Sequence, residues 1–191
     1  NKPFKQNEWF TYYPVNIDNI ELNIAALPGV FSQQGLDKGT RVLLENLPQH
    51  FDQKVLDFGC GAGIISAFIG KKHPSTELHM LDISALAVAS AQKTLAINDL
   101  TGTTYISDGL TEISGNFDHI ISNPPFHQGL KTHYHATETF LKECRHHMSN
   151  AGTLTLVANS FLQYRPIMEQ ALRKTELVVS NKGFNVFVCH K

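Results

Sequence analysis

Short apolar runs alternate with longer stretches of helical spacing along most of this chain. Strand-like runs lie at 54–58, 77–81, 103–107, 117–122 and 153–158, and helical patterns at 64–72, 85–98, 135–148 and 164–175. Ser84 is suited to cap the second helix, Thr132 to precede the third, and Asn150-Ala151-Gly152 to stop it. Two further apolar runs, 176–180 and 185–189, flank Lys182-Gly183 and read as a hairpin. Regular alternation of strand and helix predicts an α/β fold whose parallel sheet is covered on both faces. Ligands then bind at the carboxyl ends of the strands.

Composition narrows the class. A chain of 191 residues with 42% hydrophobic content supports one core. No apolar run approaches the ~20 residues of a membrane span, and no signal peptide is visible, so cytoplasm is expected and a membrane partner is not. Cys60, Cys144 and Cys189 are odd in number and far apart, which argues for small buried residues rather than disulfides. The chain begins at Asn1 rather than Met, which predicts a piece of a longer polypeptide. Residues 1–26, with Phe4, Trp9, Phe10, Tyr12 and Tyr13, are expected to connect and pack against a catalytic domain at 27–191.

The chemistry begins at Val55-Leu56-Asp57-Phe58-Gly59-Cys60-Gly61-Ala62-Gly63. A strand ends in an acid, and a Gly-x-Gly-x-Gly turn lets a ligand approach the main chain before a helix offers its free N–H groups. Asp57 would repel a pyrophosphate but can pair with an ammonium group, so an amino-acid-bearing ligand fits better. About 20 residues on, Asp82 ends the next strand, where a carboxylate accepts from two ribose hydroxyls. Asp108-Gly109 ends the following one, placed to accept from an adenine amino group. Together these segments describe an S-adenosylmethionine site.

Asn123-Pro124-Pro125-Phe126 follows the next strand. An Asn side-chain carbonyl and a proline-flanked backbone carbonyl can both accept from one planar NH2 group. The two prolines pre-organise the turn, and Phe126 offers a face on which a base can stack. The pattern suits methylation of an amino or amide nitrogen.

These motifs resemble the class I S-adenosylmethionine-dependent methyltransferases that act on amino nitrogens. Leu27-Pro28-Gly29-Val30-Phe31-Ser32, Leu36-Asp37-x-Gly39-Thr40, Leu43-Leu44 and Asn123-Pro124-Pro125-Phe126-His127-x-Gly129 are similar to the ribosomal RNA small-subunit methyltransferase C family. The resemblance runs from about Leu27 to the C-terminus. It implies a Rossmann-like fold with a seven-stranded, mostly parallel sheet whose last strand is antiparallel, and a chain that is the catalytic C-terminal half of its protein. It also implies methylation of guanine N2 in 16S ribosomal RNA, with ribosomal RNA in the small subunit as partner. The implied cofactor contacts are Asp57, Gly59, Cys60, Gly61, Gly63, Asp82, Ile83, Asp108, Gly109 and Asn123. Catalysis would fall to Asn123, Pro124, Pro125 and Phe126, and substrate contacts to Phe31, Ser32, Phe126, His127 and Lys131.

Charge qualifies the RNA expectation. The chain sums to −1, but residues 1–126 hold 8 Lys+Arg against 13 Asp+Glu (−5) and residues 127–191 hold 8 against 4 (+4). Lys131 and the histidines His127, His133 and His135 would thus put positive potential beside the target base. His133-x-His135, His146-His147 and Cys144 have the wrong spacing for a closed zinc site, and transfer from a sulfonium needs no Lewis acid, so no metal is expected. The same Asn-Pro-Pro-aromatic motif also serves large-subunit guanine, nucleic-acid adenine and protein glutamine, and a cofactor-binding RNA module without catalysis is the non-enzymatic alternative.

Overall fold

In the computed structural model, which describes residues 6–51, 53–111, 113–124 and 130–191, a 3-10 turn (Gln6–Trp9) leads into a hairpin. Strands β1 (Thr11–Ile17) and β2 (Ile20–Ala26) pair antiparallel across Asp18 and Asn19, whose φ values are 50° and 62°. Asp and Asn tolerate this left-handed region, and such a two-residue connection matches strand twist. Val15, Ile17, Leu22 and Ile24 alternate along the hairpin and are all buried. This hairpin is an addition to the sequence reading, which had only a connecting segment here.

The remaining elements are α1 (Lys38–Leu44), β3 (Lys54–Phe58), α2 (Ile64–Lys72), β4 (Glu77–Asp82), α3 (Ala85–Ile97), β5 (Thr103–Ile106) and β6 (Phe117–Ser122). They continue with α4 (Leu130–His147), β7 (Met148–Asn159), α5 (Arg165–Ala171), β8 (Lys174–Asn181) and β9 (Phe184–His190). Seven strands form one sheet in the order β5-β4-β3-β6-β7-β9-β8. The pairs β5–β4, β4–β3, β3–β6 and β6–β7 are parallel, and β9 runs antiparallel to both β7 and β8. The expected sheet with an antiparallel last strand is therefore present. Strand order reverses between β3 and β6, so the glycine turn after β3 and Asn123 after β6 leave neighbouring strands at the crevice where open α/β sheets bind ligands.

Alternation along the strands divides the core. Val55, Met80, Ile121 and Val157 belong to one apolar cluster, while their neighbours Leu56, Leu81, Ile120 and Leu156 belong to the other. Helix α2 is buried from Ile64 through Gly70, because the hairpin covers the side that the sheet does not. The exposed edge of β2 is satisfied by α3. Ser90, Thr94 and Asn98, four residues apart on one helix face, accept from the N–H groups of Leu27, Ala25 and Asn23, each at 3.0 Å.

The bounds of two helices, and of the strand between them, differ from the sequence reading. Helix α4 starts at Leu130 and ends at His147, so Thr132 lies inside it and Asn150-Ala151-Gly152 lies within β7. Met148 pairs with Phe117 across a register shift, and this pairing draws the segment into the sheet. Helix α5 stops at Ala171, because Lys174 and Thr175 pair with His190 and Cys189 of β9. Ser84 caps α3 as expected, accepting from the Ala87 N–H at 3.4 Å.

Candidate active site

A 460 Å³ cavity lies at the carboxyl ends of β3, β4, β5 and β6, within the size range of small-molecule sites (~300–1,000 Å³). Its wall includes Gly59 and Gly61, Asp82 and Ile83, Asp108 and Gly109, and Asn123. Four separate sequence segments thus meet at one cavity. Phe58, Leu81, Ala87 and Phe140 supply apolar surface, with the rings of Phe58 and Phe140 centred 4.4 Å apart. The charged side chains among the described lining residues are Asp82, Asp108 and Glu143, all acidic. Such a wall attracts cations and hydroxyl donors and repels phosphates.

Hydrogen bonding inside the glycine turn sharpens that selectivity. The N–H groups of Gly59 and Cys60 both donate to the Leu81 carbonyl, at 2.8 and 2.9 Å. Gly61 N–H donates to Asp82 Oδ2 at 3.0 Å, and Gly63 N–H to the Cys60 carbonyl at 2.8 Å. These four turn amides are therefore already satisfied within the protein and are not offered to a ligand. Gly63 has φ 77°, and a Cβ there would stand 2.8 Å from Ala91 Cα, so α2 and α3 pack against a bare backbone.

Asp57 does not join the lining. Its side chain is fully buried behind the turn, where Oδ2 accepts from Ser66 N–H at 3.2 Å and Ser66 Oγ–H at 2.9 Å. Oδ1 has no partner among the described residues. Burial pushes its carboxyl up to about 7, against the two Ser66 bonds and with a smaller contribution from the Asp82 charge. Cys60 is buried too, and desolvation raises its thiol well above the ordinary range. Asp82 fastens two neighbours, through Oδ2 to Gly61 and through Oδ1 to Ser84 N–H at 2.9 Å, while still facing the cavity.

A second cavity of 120 Å³ adjoins the first, lined by Asp37, Pro124, Asn159, Leu162, Tyr164 and Phe184 among others. Phe31 and Asn123 line both cavities and form their common wall. Phe31 follows a turn at Gly29, and its Cβ lies 3.9 Å from where a side chain on Gly61 would begin. Ser32 lies at φ 61°, its Oγ is buried, and its carbonyl accepts from the Tyr13 hydroxyl of β1. The hairpin therefore holds the loop that carries Phe31. Asn123 Nδ2 donates to Thr40 Oγ1 at 2.9 Å and to Asp37 Oδ2 at 3.2 Å.

Sequence reasoning did not assign roles to several of these groups. The spacing Leu36-Asp37-x-Gly39-Thr40 by itself gives Asp37 and Thr40 no function, and Thr139, Phe140 and Glu143 of α4 belong to no motif. Their spacing puts them on one helix face, and Glu143 is one of only four acids in residues 127–191, which was the available signal. Glu143 Oε2 accepts from Leu110 N–H at 3.0 Å and would stand 2.9 Å from a Cβ at position 109, a space that Gly109 leaves open. Pro125, Phe126 and His127 lie outside the described residues, and Lys131 falls in the first turn of α4.

The methyltransferase small domain family matches residues 21–188. The ribosomal RNA small subunit methyltransferase C of Colwellia psychrerythraea is 52% identical over 184 residues, covering 96% of this chain and 52% of that protein. The protein of the same name from Aeromonas hydrophila is 46% identical over 187 residues, covering 98% and 54%. The T. thermophilus 16S rRNA N2 G1207 methyltransferase (RsmC), solved in complex with AdoMet and guanosine, superposes with a TM-score of 0.86 at 26% identity, over 96% of this chain and 51% of that one. A methyltransferase from Pyrococcus furiosus shares the fold, with a TM-score of 0.71, 17% identity and 89% of both chains covered. The chain spans about half the length of the curated relatives it matches.

Proposed function

Because this chain belongs to the methyltransferase small domain family, we propose that it transfers a methyl group from S-adenosylmethionine to the exocyclic N2 amine of a guanine in small-subunit ribosomal RNA. The observation that carries the reading is the shared wall. Asn123 separates an acid-lined cavity from a smaller one, so one side chain addresses donor and acceptor together. The names of the curated relatives and the two ligands of the T. thermophilus structure support the choice of donor and acceptor.

The residues fit the donor. Carboxylates at Asp82, Asp108 and Glu143, with the turn amides already satisfied, suit a ligand bearing a sulfonium, an ammonium group and ribose hydroxyls. When bound, S-adenosylmethionine supplies a methyl group already activated by its sulfonium. The protein's contribution is alignment. Phe31 separates the two ligands' spaces, and Asn123 Oδ1 with the Pro124 carbonyl accepts from the acceptor's amino protons. Those bonds favour a pyramidal nitrogen and stabilise its developing positive charge. An ammonium-like product loses its proton to water, so no strong general base is needed, and a paired guanine must first leave its stack. In this reading residues 27–191 form the transferase domain, residues 1–26 its packing segment, and the enzyme works in the cytoplasm on ribosomal subunits.

The test is single-turnover transfer of labelled methyl to intact and deproteinised small subunits, with large subunits assayed in parallel and the product nucleoside identified by mass spectrometry. N2-methylguanine is expected. Methylated large-subunit guanine, N6-methyladenine or methylated protein would overturn the acceptor assignment, and cofactor binding without transfer would leave a non-catalytic module.

A further inference from the structure

Asn123 can accept a hydrogen bond from an amine only if its amide is turned the right way. An Asn amide is nearly symmetric in shape, and a 180° rotation would present NH2 to the acceptor nitrogen instead of a carbonyl oxygen. The surroundings of Asn123 remove that freedom. A carboxylate oxygen only accepts, so the amide atom 3.2 Å from Asp37 Oδ2 must be the NH2 group. The second hydrogen of that NH2 goes to Thr40 Oγ1 at 2.9 Å, and the Thr40 hydroxyl turns its own hydrogen toward Asp37 Oδ2 at 3.4 Å. The three groups close a triangle in which every donor has an acceptor. Thr40 is only 4% exposed, so water competes poorly for these bonds.

We infer that Asp37 and Thr40 are positioning residues that hold the Asn123 amide with its carbonyl oxygen toward the acceptor amine. This deepens the proposed function and rests on it. Asp37 also caps α1, accepting from Thr40 N–H at 2.9 Å, so the first turn of α1 carries the latch to β6 across 86 residues of sequence. The backbone is arranged for that approach. A Cβ at Gly39 would stand 2.9 Å from the Phe184 ring, and only a bare Cα lets α1 seat this close to β9. Removing the latch should slow transfer by misorienting the amide while leaving the acids and glycine turn of the donor cavity in place, since neither Asp37 nor Thr40 lines that cavity. Asp37 lines the smaller one, so a change at Thr40, which lines neither, isolates the latch.

Thr40→Val removes the hydroxyl at nearly constant volume, Thr40→Ser keeps it, and Asp37→Ser keeps the helix cap while being too short to reach Asn123. In the full-length protein, Thr40→Val and Asp37→Ser are expected to lower the single-turnover methyl-transfer rate by roughly 10- to 100-fold. Cofactor Kd should not change, and Thr40→Ser should restore the rate. In 15N-labelled protein the Asn123 side-chain amide, identified by its absence in Asn123→Ala, should exchange its hydrogens faster in Thr40→Val than in the parent. Equal rates for Thr40→Val and parent, failure of Thr40→Ser to rescue, or a matching loss of cofactor affinity would each overturn the inference, as would unchanged amide exchange. A parent that methylates a different amine overturns the acceptor assignment alone, because the variant-to-parent ratio still reads the latch on that amine.

Discussion

Asp57 and Ser66 join the end of β3 to the first turn of α2, with both Ser66 donors on one buried carboxylate oxygen. The other oxygen has no partner among the described residues, and burial raises the carboxyl from 3.8 to about 7. A raised acid binds its proton more tightly in the folded state. Its contribution is therefore fully present below pH ~4 and is lost as pH climbs through about 7. Folding free energy should fall across that window by up to a few kcal/mol, and Asp57→Asn should flatten the decline. Urea denaturation at pH 5 and pH 8 checks this; a parental slope unchanged in Asp57→Asn would refute it.

Asp82 is expected to matter to the ligand both directly and through the turn it fastens. Asp82→Ala should weaken S-adenosylmethionine binding by about 1–3 kcal/mol, the range for a lost charge-assisted hydrogen bond. Asp82→Asn retains one acceptor and should lose less. Calorimetric titration reads both, and parental affinity in Asp82→Ala would remove the donor assignment for this cavity.

Asn123→Ala separates chemistry from binding. The variant should keep most of its cofactor affinity and lose ~10²–10³ in turnover, as expected for a missing preorganised polar contact. Turnover at the parental rate would mean that Asn123 does not hold the acceptor amine.

Phe31 stands in both cavity walls, so Phe31→Ala should raise cofactor Kd and the RNA KM together. Tyr13→Phe removes the hydroxyl that bonds the Ser32 carbonyl and should shift both in the same direction by less, about 1 kcal/mol or below. An effect of Phe31→Ala on one constant alone would deny it the shared position.

Gly63→Ala should destabilise the fold by ~1–3 kcal/mol or more, since the residue would be strained at φ 77° and its Cβ would meet the Ala91 backbone. Chemical denaturation tests this, and a stability equal to the parent would show that α2 and α3 can separate without cost.

The amino-acid sequence by itself determined the parts of this protein that depend on neighbours along the chain. Strands β3 and β6 and helix α2 follow from short-range periodicity, and their residue ranges agree with the apolar pattern at both ends. The acid-ended strands and the glycine turn were legible because consecutive parallel strands bring their carboxyl ends to one edge. Tertiary structure decided what depends on distant partners. The hairpin β1–β2 was hidden because its edge is satisfied by Ser90, Thr94 and Asn98, which lie 63 to 75 residues away. Asp57 reads as a ligand contact in sequence, but the fold turns it inward onto Ser66 and leaves Asp82 in the cavity. The orientation of Asn123 rests on Asp37 and Thr40, because hydrogen-bond direction is a property of three-dimensional neighbours that no spacing along one chain encodes.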